Sequence, residues 1–438
     1  MAKLHNPATM QWELTTECNH DCVHCYNYWR KDFEKIADLS RSKTEQEYLE
    51  IAKRIVKIKP VAVTLTGGEP LLVFNEIKSS LEYLQKNNIF VTINTNATLL
   101  TDEMCKYLKN RRVHLFVSFP CAEPEVCDII TNRSGSFSRI TKSLDLAYSF
   151  GVDFVCNVVV SKQNIDYVEK TVDFLVENYR LDYISLTRVA KPINSDDSFN
   201  SWLLNHDDIN RLLDISVKKT KEYKGLTIGT ACPYTPCSIN SQDAFDLFGY
   251  QKLCTAGKTS FAIDIDGNFK ACPRDSRHYG NILHDDFAAI YENMDEWRNG
   301  SFVPDQCKGC KEFLHCLGGC RVDSIPFTGK SNALDSISNP NNLPLKFHPK
   351  KSIKNYDGKV FVFDKDDVIC VKCEDCVRLS HERHFLFVTT KLYDFLSFNR
   401  SGFTNKDLAT AFKQEESDLI NNVIGRLLSE RIIKPKNN

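Results

Sequence analysis

The sequence predicts an α/β protein: a parallel β-sheet clothed by helices, then a cysteine-rich region, then a small α+β domain. Two observations carry this expectation. Over residues 10–200, short apolar runs alternate with stretches whose apolar residues recur at helical spacing. Six such pairs in series with short connections imply a parallel sheet, open or curled into part of a barrel. The second observation is that most of the 18 cysteines among 438 residues stand in spaced groups.

The strand-like runs are Met10–Leu14, Val61–Thr66, Phe90–Asn94, Val113–Phe119, Phe154–Val160 and Tyr183–Thr187. The helix between the first two is expected to start at a capping box, Ser42-Lys-Thr-Glu45, and to carry Tyr48, Ile51, Ala52 and Ile55 on one face. The stripe repeats as Ile77, Leu81, Leu84, as Ile140, Leu144, Ala147, and as Val168, Val172, Leu175. Reactive groups in such folds collect at the C-terminal ends of the strands. From about Ser201 to Asp323 periodicity weakens, and residues 326–358, rich in Pro, Asn, Ser and Lys, read as a linker. Val360–Phe363 and Val368–Val371 flank Asp364-Lys-Asp-Asp367 like a hairpin, with Phe385–Val388 as a third strand and helices near 391–398, 405–412 and 418–430. The expected division is 1–200, 201–325, a linker at 326–358, and 359–438.

Composition bounds the function. Fifty-six basic against 57 acidic residues give a net charge of −1, which argues against a nucleic-acid binder. No run approaches about 18 apolar residues, so no membrane span is expected. The N-terminus shows no export signal, so a cytoplasmic protein is expected. In a reducing compartment these cysteines read as metal ligands rather than disulfides.

Cys18, Cys22 and Cys25 follow the first strand at x3 and x2 spacing. Three thiolates can hold an iron–sulfur cube and leave one iron without a protein ligand. A zinc site completed by His20 or His24 is the alternative. Thr66-Gly67-Gly68-Glu69-Pro70 ends the second strand, where two glycines let backbone approach a ligand and Glu69 offers an acceptor to an ammonium group. With His24 just before the third cysteine and Tyr26 just after it, these residues resemble the radical S-adenosylmethionine (SAM) superfamily over about residues 10–190. The resemblance implies a partial (β/α)6 TIM barrel whose Cys18, Cys22 and Cys25 hold a [4Fe–4S] cluster. The open iron would chelate SAM, and one electron, from a reductant such as flavodoxin or ferredoxin, would yield a 5′-deoxyadenosyl radical. Asn94 and Ser118, at the ends of the third and fourth strands, stand where relatives touch the cofactor. After Ser118 the chain departs from the family as Phe119-Pro120-Cys121. Arg133, Arg139 and Arg188 are candidates for neutralising a carboxylate.

A second array runs Cys254-x12-Gly267-x4-Cys272, then Cys307-x2-Cys310-x5-Cys316-x3-Cys320. It resembles the SPASM extension, with a zinc ribbon as the alternative. The resemblance implies that Cys254, Cys272 and Cys320 bind one auxiliary [4Fe–4S] cluster and that Cys307, Cys310 and Cys316 bind another. The extra cysteine that often follows the first is missing from Thr255–Phe261. Either that cluster has an open iron, or Cys232 or Cys237 folds back to it. A seventh cysteine is also late, so Cys370, Cys373 or Cys376 is expected to reach the second cluster. Cys105, Cys121, Cys127 and Cys156 read as small buried hydrophobes.

The C-terminal pattern, with Thr404-Asn-Lys-Asp407 opening a helix, resembles a PqqD-type peptide-recognition domain, with a winged-helix-like structural domain as the alternative. Together these resemblances imply a maturase that acts on a ribosomally made precursor peptide. The alternatives are a sulfatase-type maturase, a small-molecule dehydrogenase, or an iron–sulfur or zinc protein that senses or carries electrons. The sulfatase-type reading is weakened by Pro273, which follows Cys272 where those relatives carry an acidic residue.

Overall fold

The computed structural model describes residues 7–27, 43–342, 345, 356, 359–364, 368–372, 376–381, 384–414 and 417–436. Each predicted strand of the first half forms: β1 Thr9–Thr15, β2 Ala62–Gly67, β3 Phe90–Thr95, β4 His114–Ser118, β5 Phe154–Val160 and β6 Tyr183–Arg188. They are rich in Val, Ile, Leu and Phe because a parallel sheet is covered on its faces. Every neighbouring pair is parallel and in chain order, from β1·β2 to β5·β6.

The sheet continues past residue 200. Helix His206–Glu222 buries Ile209, Leu212, Leu213 and Val217, and it leads into β7 Thr227–Gly229, parallel to β6. The expectation of weak periodicity from Ser201 fails here, because the stripe is hidden among charged neighbours. At the other edge β8 Ser260–Ile263 lies parallel to β1, and β9 Phe269–Lys270 folds back antiparallel on β8. The half that carries the second cysteine array is therefore part of the same sheet. A buried ion pair, Lys270 Nζ to Glu13 Oε1 at 2.6 Å, fastens β9 to β1.

Two details differ from the sequence reading. Helix Glu45–Ile58 is capped by Thr44 and Glu47: Glu47 accepts the Thr44 N–H at 2.8 Å, and Thr44 Oγ1 accepts the Glu47 N–H at 3.4 Å. The expected Ser42 lies outside the described residues. Residues 326–342 are also more than a linker, since Asp335 is buried in an ion pair with Arg188.

The C-terminal residues form their own apolar core, with Phe361, Leu379, Leu396, Phe403, Ile424 and Leu427. The expected hairpin is not formed. β10 Phe361–Val362 pairs with β14 Lys434–Pro435, whereas β11 Ile369–Lys372 pairs with β12 Cys376–His381, which pairs with β13 His384–Thr389. Strand β12 alternates Val377 and Leu379 with Arg378 and Ser380, a period-two signal masked by its cysteine. Helices Thr390–Phe398, Asn405–Phe412 and Ser417–Ser429 follow, the second with a Thr404–Asp407 capping box. Arg378, buried, donates to the Pro7 carbonyl at 2.9 Å and the Lys59 carbonyl at 2.6 Å. This docks the small domain at the N-terminal ends of β1 and β2. No helix among the described residues is long and apolar enough to cross a membrane.

Candidate active site

The C-terminal ends of the strands surround a cavity of about 180 Å³. Cys18, Cys22, His24, Cys25 and Tyr26 line it from the loop after β1, and Gly67, Gly68 and Glu69 from the end of β2. Asn94 comes from β3, Ser118 from β4 and Arg188 from β6. Cys232 and Arg274, of the SPASM half, also line it. Residues separated by up to about 250 positions thus meet because parallel strands present their ends on one side. Pro70 lies just behind, buried at the first position of a 3-10 turn, Pro70–Val73. Arg133 and Arg139 are exposed and are not among the residues that line this cavity.

The cysteine loop is held by its backbone. Asp21 N–H donates to the Thr131 carbonyl at 3.1 Å and Val23 N–H to the Ile130 carbonyl at 3.0 Å. A side-chain chain that the sequence reading missed ties it to the end of β3. Asn96 Nδ2 donates to Asn19 Oδ1 at 2.7 Å, and Asn19 Nδ2 to Thr98 Oγ1 at 2.8 Å. Ala97, between Asn96 and Thr98, is fully buried with φ +63°, a strained conformation for a residue with a Cβ. Nothing in Thr95-Asn-Ala-Thr98 marks these residues apart from an ordinary polar loop.

The Gly-Gly-Glu turn works differently from its sequence reading. A Cβ on Gly68 would lie 1.9 Å from the Glu17 carbonyl oxygen, and one on Gly67, at φ +121°, 2.5 Å from that of Thr15. The glycines therefore allow the turn to press on the backbone that leads into the cysteine loop. Gly68 N–H donates to the Thr15 carbonyl at 2.6 Å and Glu69 N–H to the Glu17 carbonyl at 2.8 Å. Glu69 is buried, and its carboxylate accepts from Thr95 Oγ1 (2.6 Å), Leu71 N–H (3.0 Å) and Asn96 N–H (2.8 Å). Burial raises its pKa, against the pull of those three donors. Three bonds occupy most of a carboxylate's roughly four lone-pair positions, so Glu69 organises three segments around the cavity that it also lines.

Arg188 is likewise engaged. Its guanidinium pairs with both Asp335 oxygens at 2.9 Å and with Asp323 Oδ2 at 3.2 Å, so the carboxylates it neutralises are the protein's own. Burial raises the Asp323 carboxyl, but Arg188 and Arg274 outweigh it and hold the pKa well below the usual range.

The donor set suits an iron–sulfur cofactor. Among the described residues no three His, Cys, Asp or Glu side chains close on a single metal ion. Tetrahedral zinc needs four donors at about 2.0–2.3 Å. Desolvation pushes the His24 pKa down to about 4, and its buried Nδ1 has no hydrogen-bond partner among the described residues. Asn27 donates Nδ2 to the Gly67 carbonyl at 2.9 Å, while its buried Oδ1 has no partner among the described residues. These orphaned atoms fit a cavity shaped for a polar ligand.

The SPASM cysteines surround buried arginines. Arg274 lies within charge range of Cys320, Cys232 and Cys272, and its Nη1 is 3.6 Å from Cys320 Sγ. Burial pushes Cys272 and Cys316 up to about 12 and raises Cys320 well above the ordinary thiol range, so metal binding at these thiols must displace protons. Cys370 is on β11 against the C-terminal core, Cys376 on β12, and Cys373 lies outside the described residues. Cys105, Cys121, Cys127 and Cys156 are fully buried in the main core.

Residues 12–175 match the radical SAM superfamily, and residues 254–311 match SPASM, an iron–sulfur cluster-binding domain. The chain is built on a radical SAM domain followed by a SPASM domain, whose cofactors are [4Fe–4S] clusters and SAM. It is similar to the radical SAM cyclopropyl synthase TigE of Paramaledivibacter caminithermalis, 26% identical over 330 residues, 71% of this chain and 67% of that protein. It is also similar to the mycofactocin maturase MftC of Mycolicibacterium smegmatis, 26% identical over 339 residues, 74% of this chain and 81% of that protein. In fold it is similar to Streptococcus suis SuiB bound to the precursor peptide SuiA, with TM-score 0.60, 18% identity, and coverage of 76% of each chain.

Proposed function

We propose that this protein modifies a ribosomally synthesised precursor peptide, abstracting hydrogen from one of its residues to leave it crosslinked, excised or otherwise altered. The observation that carries the reading is the single cavity where Cys18, Cys22 and Cys25 face Gly67, Gly68, Asn94 and Ser118 at the strand ends. With a [4Fe–4S] cluster on the three thiols and SAM beside it, that pair supplies a 5′-deoxyadenosyl radical on one-electron reduction. The chain's own residues do the rest. Main-chain bonds to Thr131 and Ile130 hold the cysteine loop, and Glu69 fixes the ends of β2 and β3 around the ligand. The neutral His24 ring and Tyr26 limit water at the loop.

Similarity to MftC and the fold of a SuiB–SuiA complex support a peptide substrate. The small domain offers β11 and β13 as outer strands of its sheet, either of which suits an added leader strand. It docks opposite the cavity, and the seven residues of β1 span about 20 Å. The modified residue would then sit several residues from the bound leader. A sulfatase-type reaction fits less well. Asp275, the nearest acidic residue after Cys272, is buried against Arg277 and Tyr279, with Arg274 in the cavity wall instead. A reductant such as flavodoxin or ferredoxin would supply the electron.

Anaerobic reconstitution and reduction with dithionite, in the presence of SAM and a candidate peptide, tests the reading. It expects 5′-deoxyadenosine and a mass change in the peptide. A reconstituted protein that forms no 5′-deoxyadenosine would remove it.

A further inference from the structure

The loop Cys232-Pro-Tyr-Thr-Pro-Cys237 leaves β7 and runs over the SPASM region. Its start is tied to β6 through Ala231 N–H, which donates to Thr187 Oγ1 at 3.0 Å. Its middle packs on the glycine before Cys320, where a Cβ on Gly319 would stand 2.7 Å from Thr235 Cγ2. Its end is held by Asn342 Nδ2, which donates to the Cys237 carbonyl at 3.3 Å. Two prolines, Pro233 and Pro236, stiffen the span.

The two thiols face different company. Cys320 lies within charge range of both Cys254 and Cys232, and Cys272 within range of Cys254. Buried Arg274 is the cation of this group. Cys316 lies within range of Cys237 and Cys307, and Cys307 within range of Cys237 and Cys310. Arg321, buried, is the cation beside Cys307, and its Nη2 has no hydrogen-bond partner among the described residues. Cys370 packs against the separate C-terminal core.

We propose that Cys232 completes the first auxiliary cluster with Cys254, Cys272 and Cys320, and that Cys237 completes the second with Cys307, Cys310 and Cys316. One short loop thus supplies the fourth thiolate of both cubes. Each cluster has four protein ligands and a buried guanidinium against its negative charge, and neither has a vacant iron for substrate. The late triplet Cys370, Cys373 and Cys376 then has no place in either cluster. The proposal rests on the cluster-bearing reading of this chain.

The test is iron and sulfide analysis of the anaerobically reconstituted full chain, with EPR of the reduced protein before and after adding cyanide as a probe for a vacant iron, the EPR being read with Cys18, Cys22 and Cys25 all changed to Ala so that the open iron of the first cluster does not contribute. The wild type should hold about 12 iron, three cubes of four. Cys232→Ala and Cys237→Ala should each lose about four iron, or keep them with a signal that cyanide shifts. Cys370→Ala, Cys373→Ala and Cys376→Ala should match the wild type. If an alanine variant is insoluble, Cys232→Ser and Cys237→Ser preserve volume and should still alter the signal. The proposal is overturned if the Cys232 and Cys237 variants keep full iron and unshifted spectra, or if a late-triplet variant loses a cluster instead. Failure of the underlying reading looks different: the wild type itself would hold about four iron or fewer.

Discussion

The loop of Cys18, Cys22 and Cys25 and the SPASM array hold their thiols by opposite means. The first is a main-chain cradle, pinned by Thr131, Ile130 and the Gly67–Gly68 turn, and open to the cavity. The second is a charged interior, where Arg188, Arg274, Asp323 and Asp335 form buried ion pairs around Cys320. The contrast follows from the tasks. A cluster that admits a ligand needs a free corner and a loop supported from behind. A cluster that only passes electrons can be closed, and its buried charge then needs fixed counter-charges. The buried ion pairs also seal the two halves together, since Arg188 ends β6 while its partners lie beyond the last SPASM cysteine.

The largest test of this contrast is Cys22→Ala. It should reduce 5′-deoxyadenosine formation to background and remove about four iron while the auxiliary EPR signals persist. Equal loss of all signals would merge the two regions. Asp335→Ala should follow, leaving Arg188 short of charge in the interior. Breaking a buried pair costs about 3–5 kcal/mol, read as a lowered denaturant midpoint, and a surface-like loss under about 1 kcal/mol would contradict the burial argument. Gly68→Ala should cost about 1–3 kcal/mol through the clash with the Glu17 carbonyl and loosen the first cluster alone, seen as reduced iron occupancy with normal auxiliary signals.

The smallest expected effect is a pH dependence at the outer edge of the SPASM half. His278 Nε2 lies 3.2 Å from Asp264 Oδ2; that hydrogen bond raises the histidine pKa despite partial burial. Burial raises Asp264, but its bonds to His278 and Asn268 outweigh this and lower its pKa. The histidine's contribution is fully present below its unfolded pKa of about 6.5 and is lost as pH rises through the higher folded value. The aspartate's contribution is present above about 3.9 and is lost as pH falls through its lower folded value. With its histidine about half exposed, the pair should be worth under about 1 kcal/mol. His278→Gln should flatten the stability profile above pH 6, and an unchanged profile would show that the pair contributes nothing.

Much of this was legible because it is local. The six strands, the spaced cysteines and the Gly-Gly-Glu turn are patterns of neighbouring residues, and parallel-strand topology alone gathers strand ends on one side. The helix His206–Glu222 and strand β12 were missed because charged and cysteine residues diluted their periodicity. The partners of Gly68, Glu69 and Arg188 were not legible for a deeper reason. Spacing identifies which groups stand near a site, but a buried polar group acts through whichever partners satisfy it, and those partners came from distant segments.

The chain by itself therefore determined the α/β core, the kinds of cofactor-holding residue and their order, since propensity, period and ligand spacing act over a few residues. Only the tertiary structure decided that Glu69 and Arg188 face inward to protein partners, that the small domain sits opposite the cavity, and that Cys232 and Cys237 stand near different cysteines. Those outcomes depend on burial and charge pairing between segments up to 371 positions apart, which no local pattern encodes.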